Sequence, residues 1–443
     1  MILSSTLIRN ATILTMNDGM EVVSGAVSIR DGLIAAVGAE PSGAHDRTID
    51  AGGAYLLPGF VQTHIHLCQT LFRGYADDLV LLDWLRTRIW PMEAAHTPAS
   101  LRAAARLACL ELLKSGTTSI LTMETVHDTE VVIEAAAETG IRATIGKCMM
   151  DETTPDAPAR LREDGRGSLE GSLALHRQYH GSASGRVRVA FAPRFALSCS
   201  RELLEAVADT SERQGMLVHT HASEQRAEIA LVQRVTGRGN IDYFDDVGLT
   251  SPRLNVAHCV WVDDHEQDLL AAHGVKVTHC PGSNLKLGSG VAPVPEMRAR
   301  GICVSLGSDG AACNNHLDMF GEMRLAATLQ AMRLRPGALA ARDAIWMATR
   351  SGARALGLES EIGSIEPGKK ADLILIDAGG THLAPAVDPC STIVYAARPT
   401  DVLLTMVGGD ALVAAGRPVH LDAMEIAADA REEARQLVLR AGL

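Results

Sequence analysis

Near both ends of the chain, apolar and polar positions alternate with a period of two, whereas the middle sets short β-branched runs between longer stretches with helical spacing. In residues 6–57 the runs TLIRNATILTM and GAVSIRDGLIAAVG read as strands, and Asp31-Gly32 falls between two alternations, where a hairpin turn belongs. The same texture returns as ADLILIDA in residues 371–378 and DVLLTMVGGDALVAAGRPV in residues 401–419, with Gly408-Gly409 as a second turn signal. Neither end alone has enough strands to bury a face. Residues 1–57 and 361–420 are therefore expected to pack together as one small β-sandwich domain.

In residues 58–360 eight β-branched runs recur: PGFVQTHIH, TTSILTMETV, IRATIGKCMM, VRVAFAPRF, MLVHTHASE, LNVAHCV, VKVTHCP and ICVSLGSDG, starting at residues 58, 117, 141, 187, 216, 254, 275 and 302. Ala-, Leu- and Glu-rich segments such as SLRAAARLACLELLKSG separate them and end in Gly, as helices often do. Eight β/α units favour an α/β fold with a closed (β/α)8 TIM-type barrel over an open sheet. A further helical run, residues 339–358, follows the last strand, and residues 421–443 read as an amphipathic helix closing the chain.

Composition narrows the partners. With 41 basic against 53 acidic side chains the net charge is −12, and Lys and Arg form no cluster, which argues against nucleic acid or an anionic membrane and favours a small-molecule substrate. Nine cysteines form no C-x-x-C pair, and an odd number cannot all be bridged within one chain, so reduced thiols and a cytoplasmic location are expected. The N-terminal segment has no basic stretch followed by a long apolar run, and no apolar run approaches the ~20 residues of a membrane span.

Candidate chemistry gathers at the C-terminal ends of the strands, where barrels of this type carry their active sites. His64, His66, His221, Glu224, His258 and Asp309 all fall there. Residues two apart on a strand share a side, so His64 and His66 aim both imidazoles at the barrel mouth. Neutral imidazoles and a carboxylate around an open position suit a catalytic divalent ion, Zn2+ or Fe2+. An H-x-H pair alone is a weak signal; its recurrence with other ligand types at later strand ends carries the argument. His219 shares a face with His221 and competes for the same role, and His279 also ends a strand.

The stretches PGFVQTHIHLCQTLFRG, HASE, AHC, HCPGSNLKLGSGVAPVPEM, LGSDGAACNNHLDMFGEMRLA and GSIEPGKKADLILID resemble the amidohydrolase superfamily. Within it they are similar to the methylthioadenosine/S-adenosylhomocysteine deaminases and the 5′-deoxyadenosine deaminases. The resemblance implies one divalent metal ion held by His64, His66, His221 and Asp309, with His219 left as a neighbour. It also implies Glu224 as the proton donor to the substrate ring, His258 beside the attacking water, and Glu93 on the ribose hydroxyls. Two departures from the pattern bear on substrate. Arg194 stands where a purine-contacting His is expected, and Lys147 where an Arg for the homocysteine carboxylate is expected. Arg194 also stands where two-metal relatives carry a carboxylated Lys, so a single ion is expected.

The implied reaction is hydrolytic deamination of an adenine nucleoside, among 5′-deoxyadenosine, methylthioadenosine, S-adenosylhomocysteine and adenosine, in a homo-oligomer. The alternative is an aminohydrolase or chlorohydrolase acting on a free base such as guanine, a pterin, cytosine or an s-triazine, because the pocket chooses the leaving group. A non-catalytic scaffold on a decayed barrel should lack ligands that are all present here.

Overall fold

A computed structural model describes residues 5–152 and 157–443. The N-terminal strands are Ser5–Leu14 (β1), Val22–Arg30 (β2), Leu33–Gly38 (β3), Arg47–Asp50 (β4) and Tyr55–Pro58 (β5). The barrel strands follow as Phe60–Ile65 (β6), Thr117–Met123 (β7), Arg142–Met149 (β8), Val187–Pro193 (β9), Val218–Ala222 (β10), Leu254–His258 (β11), Lys276–His279 (β12) and Cys303–Leu306 (β13). The chain then returns through Leu373–Ile376 (β14), Val402–Val407 (β15), Asp410–Ala414 (β16) and Arg417–Pro418 (β17). These form a nine-stranded sheet from the two chain ends and an eight-stranded parallel sheet from the middle.

The chain ends meet at β5 and β14, which pair antiparallel from Tyr55↔Ile376 to Pro58↔Leu373. Strand β1 is bulged between Ile8 and Ala11, and this lets one strand pair with β4 along Thr6–Arg9 and with β5 at Thr12 and Ile13. The sheet thereby folds over a shared core of Ile8, Ile13, Val27, Leu56, Leu373 and Met406. Its two hairpin tips abut: a Cβ on Gly32 would lie 2.5 Å from the Gly408 carbonyl oxygen, and one on Gly409 would lie 2.8 Å from the Gly32 Cα. Both turn signals are therefore also packing requirements.

Sheet membership changes at Gly59, where a Cβ would lie 2.1 Å from Thr118 Oγ1. Pro58, read from sequence as the start of the first barrel strand, belongs to the small sheet. The barrel closes between β6 and β13 through Thr63 Oγ1, 2.7 Å from Ser305 Oγ, and through the Asp309 amide, which donates to the His64 carbonyl at 3.2 Å. Its lower end is filled by Val61, Leu121 and Ala190 against Ala353, Leu356 and Ile362. The helical run at residues 339–358 is accordingly two helices, Ala341–Ala348 and Arg350–Ala355, broken at Thr349. The break turns Gly352 onto Val61, where a Cβ would meet that residue's side chain at 2.7 Å and its carbonyl oxygen at 2.9 Å.

The two domains are joined by a buried fork in which Arg142 of β8 donates from Nε and Nη2 to the two oxygens of Asp372, at 2.8 and 3.0 Å. The closing helix, Ala423–Ala441, packs against the helix Pro98–Lys114 and the segments Leu67–Phe72 and Trp90–Ala94, and its Ala430 and Leu437 join the buried cluster that includes Trp84 and Ala104. Among the described residues no helix is long and apolar enough to cross a membrane.

Candidate active site

Strand ends bring His64, His66, His221, His258 and Asp309 to one point. His64 and His66 come from β6 and the residue past its end, His221 from β10, and His258 from the last position of β11. His258 has φ 75° and Asp309 φ 62°, left-handed positions that non-glycine residues adopt at a cost of about 1–3 kcal/mol and that turn both side chains inward. The turn after His66 is fixed by Glu124, whose oxygens accept from the Leu67 and Cys68 amides at 3.1 and 3.0 Å. Burial pushes that carboxyl up to about 7.

Backbone carbonyls decide the imidazole tautomers, because a carbonyl can only accept. His66 Nδ1 donates to the Met123 carbonyl at 2.7 Å, and His221 Nδ1 donates to the Arg194 carbonyl at 2.7 Å. Their Nε2 atoms are then both lone pairs, and they face each other at 3.3 Å. His219 donates from Nδ1 to the Asn255 carbonyl at 3.3 Å and accepts from His64 Nδ1 at 2.7 Å. That leaves a third lone pair on His64 Nε2, which is buried without a hydrogen-bond partner. Asp309 Oδ1, an acceptor too, lies 3.2 Å from His64 Nε2 and 3.3 Å from His66 Nε2.

Acceptors converging with no proton to share repel one another unless a cation sits between them. The donor set therefore fits a divalent ion held by His64, His66, His221 and Asp309, with second partners orienting each ligand. Ligand atoms of His64, His66 and Asp309 lie within 4.8 Å of one another, as do those of His64, His221 and His258. Burial lowers the His64 imidazole to about 4, so it stays neutral and available as a ligand.

Next to this cluster stand two groups suited to moving protons. His258 Nε2 lies 3.7 Å from Glu224 Oε2 and 3.9 Å from Asp309 Oδ2. Burial raises the Glu224 carboxyl against the opposing pull of His258, which favours a protonated acid. The cluster opens into a cleft of about 560 Å³, including its mouth, walled by Leu81, Leu82, Trp84, Leu85, Phe195 and Leu287.

Arg194 lines that cleft, but its guanidinium is engaged by Glu93: Nη1 reaches Oε2 at 2.5 Å and Nη2 reaches Oε1 at 3.2 Å. Gln69 Nε2 adds a bond to Glu93 Oε1 at 3.0 Å. Glu93 is thereby held between Gln69 and Arg194, both of which line the cleft, with its side chain buried. Lys147 is not at the cleft. It leaves β8 on the outer face toward the helix Gly165–Tyr179, with its Cε 3.5 Å from the Cβ position of Gly171, and its ammonium pairs with Glu163.

Sequence reasoning left His219 as a neighbour, although its two-residue spacing from His221 did place both rings on one face. It passed over Ser283, Asn284 and Ser289, which bond Asp309, His258 and Glu224. No spacing rule marks loop hydroxyls and amides of this kind. His279 is buried with both ring nitrogens unpartnered among the described residues.

Comparison with known proteins places this geometry. The chain is 39% identical over 441 residues to the 5′-deoxyadenosine deaminase of Methanosarcina mazei, covering 99% of each chain. It is 41% identical over 440 residues to the 5-methylthioadenosine/S-adenosylhomocysteine deaminase of Symbiobacterium thermophilum, covering 97% of this chain and 98% of the relative. A zinc-bound crystal structure of an adenosine deaminase from Xanthomonas campestris superposes with a TM-score of 0.92 at 32% identity, covering 98% of this chain and 99% of the other. Residues 55–412 match the Amidohydrolase family, and the chain is a member of that family, a hydrolase built on a metal-binding barrel.

Proposed function

We propose that this amidohydrolase deaminates an adenine nucleoside to its inosine analogue and ammonia, using a single zinc ion held by His64, His66, His221 and Asp309. The observation that carries the reading is the placement of Glu224, His258 and Asp309 Oδ2 on the cleft side of the ligand cluster, with carboxylates 3.7 and 3.9 Å from one imidazole. The apolar wall suits a purine face and an uncharged 5′ group, and the deaminases among the relatives point to 5′-deoxyadenosine and methylthioadenosine as the first substrates to try. Zinc is favoured because the adenosine deaminase of matching fold was crystallised with it.

A divalent ion in such a site supplies water that is nucleophilic near neutral pH. Asp309, with Oδ1 turned to the histidines, keeps Oδ2 to take the proton that water loses as its oxygen bonds to purine C6. Glu224, whose carboxyl burial raises, acts as the acid that gives its proton to N1, so negative charge does not build up on the ring. His258, whose Nδ1 donates to Asn284 Oδ1, keeps Nε2 as an acceptor that orients the attacking water. Asp309 then returns its proton to the amino group, which leaves as ammonia while the C6 hydroxyl proton restores Glu224.

The direct test is ammonia release from 5′-deoxyadenosine, methylthioadenosine, S-adenosylhomocysteine and adenosine, beside guanine, cytosine and an s-triazine. Turnover of nucleosides, abolished by Glu224→Gln, is expected. Inactivity on all four nucleosides with turnover of a free base would contradict the proposal.

A further inference from the structure

Asp309, His258 and Glu224 reach the site from different strand ends, yet one stretch of chain bonds all of them. Ser283 Oγ donates to Asp309 Oδ2 at 2.7 Å, Asn284 Oδ1 accepts from His258 Nδ1 at 2.9 Å, and Ser289 Oγ donates to Glu224 Oε1 at 3.1 Å. Asp309 is a carboxylate and only accepts, so Ser283 must donate, while the bond from Ser289 to Oε1 leaves Glu224 Oε2 to carry the acid proton. All three residues are buried.

The stretch is itself clamped at both ends. It begins as the helix Pro281–Lys286 after β12, where the Gly282 amide donates to Glu322 Oε2 at 3.0 Å. A Cβ on Gly282 would lie 2.5 Å from Glu322 Oε1 and 2.7 Å from Asn314 Oδ1, so the helix start sits against this pair. Asn314 Nδ2 in turn reaches Glu322 Oε1 at 2.8 Å and the Ser308 carbonyl, next to Asp309, at 2.7 Å. At the far end Trp261 Nε1 donates to the Ser289 carbonyl at 2.7 Å, and Gln225 Nε2 to the Leu287 carbonyl at 3.0 Å. Leu287 also lines the cleft.

We propose that residues 281–290 act as a positioning strap that sets the proton-handling groups against the substrate, with Ser289 the positioning residue for Glu224. Its polar side chains bond Asp309, His258 and Glu224, so it acts by aiming three side chains at once. This rests on the roles given above to Glu224, His258 and Asp309.

The test uses the metal-loaded full chain with Ser289→Ala, which removes the donor with little change of volume, and Ser283→Ala beside it. Displacing a catalytic group by about 1 Å can cost on the order of 100-fold, so Ser289→Ala should lower kcat by about tenfold or more, with KM within about threefold of wild type. Metal content should be unchanged, and the solvent deuterium isotope effect on kcat should rise as proton delivery becomes limiting. A kcat equal to wild type, or a loss confined to KM or to bound metal, overturns the strap. A wild-type chain inactive on every purine would sink the functional reading instead. The strap is then decided by a crystal structure of Ser289→Ala: a displaced Glu224 carboxyl supports it, and one in its original position overturns it.

Discussion

Arg194 and Glu93 form a pair whose meaning a double substitution can decide. Their side chains are 6% and 3% exposed, bonded at 2.5 and 3.2 Å, and among the described residues Gln69 supplies the one further donor to the carboxylate. Arg194→Met would leave Glu93 buried with a single neutral donor, and losing one partner of such a pair costs about 3–5 kcal/mol. Adding Glu93→Gln removes the stranded charge while leaving a carbonyl oxygen for Gln69. The double variant should therefore recover about 2–3 kcal/mol relative to the sum of the single losses, the usual size of strong coupling between contacting residues. Denaturant unfolding of the metal-loaded protein, followed by circular dichroism, measures this cycle. If Arg194→Met costs under about 1 kcal/mol, as a surface pair would, or the losses simply add, the guanidinium is not neutralised by Glu93 and is free to serve substrate.

The same geometry makes further expectations. A carboxylate offers about four acceptor sites and three of those on Glu93 are filled, so one remains for a sugar hydroxyl; Glu93→Gln should then slow nucleoside turnover far more than turnover of a free base, and equal losses would argue against a sugar contact. Burial lowers the His96 imidazole from 6.5 to about 4. Its stabilisation is thus complete above about pH 6.5 and is lost as pH falls toward about 4, and between pH 7 and 4.5 His96→Gln should remove about 2 kcal/mol of the acid-induced loss of stability; an unchanged slope would contradict this. Gly307 has no room for a side chain, since a Cβ would lie 2.6 Å from the His64 carbonyl oxygen and 2.9 Å from its amide nitrogen. Gly307→Ala should therefore cost about 2 kcal/mol or more and weaken metal binding in a chelator competition, and wild-type affinity would show that the barrel seam tolerates the insertion.

Strand positions were legible because β-branched runs punctuated by helices are a local signal, and every expected barrel strand has its counterpart in the parallel sheet. The histidine pattern was legible for the same reason: strand-end position and two-residue spacing place side chains before any tertiary contact is known. The Glu93–Arg194 pair was not, since the residues stand 101 positions apart and meet only when the barrel closes. Lys147 was misplaced where alternation held the answer. Cys148 packs inward with Met123 and Ala192, so its neighbour on the strand had to point out, to Glu163. The helix break at Thr349 has only a weak local signal in the poor helix formers Thr349, Ser351 and Gly352, and its place is set by Gly352 packing into the barrel floor.

The central claim is that converging lone pairs of His64, His66 and His221, with Asp309 Oδ1, hold a single ion. Elemental analysis of the purified chain, paired with a crystal structure using anomalous scattering at the zinc edge, tests it most directly. One ion per chain is expected, bound through the Nε2 atoms of these histidines and Asp309. A site empty after zinc soaking, or a second tightly bound ion on a carboxylated Lys147, would contradict the account.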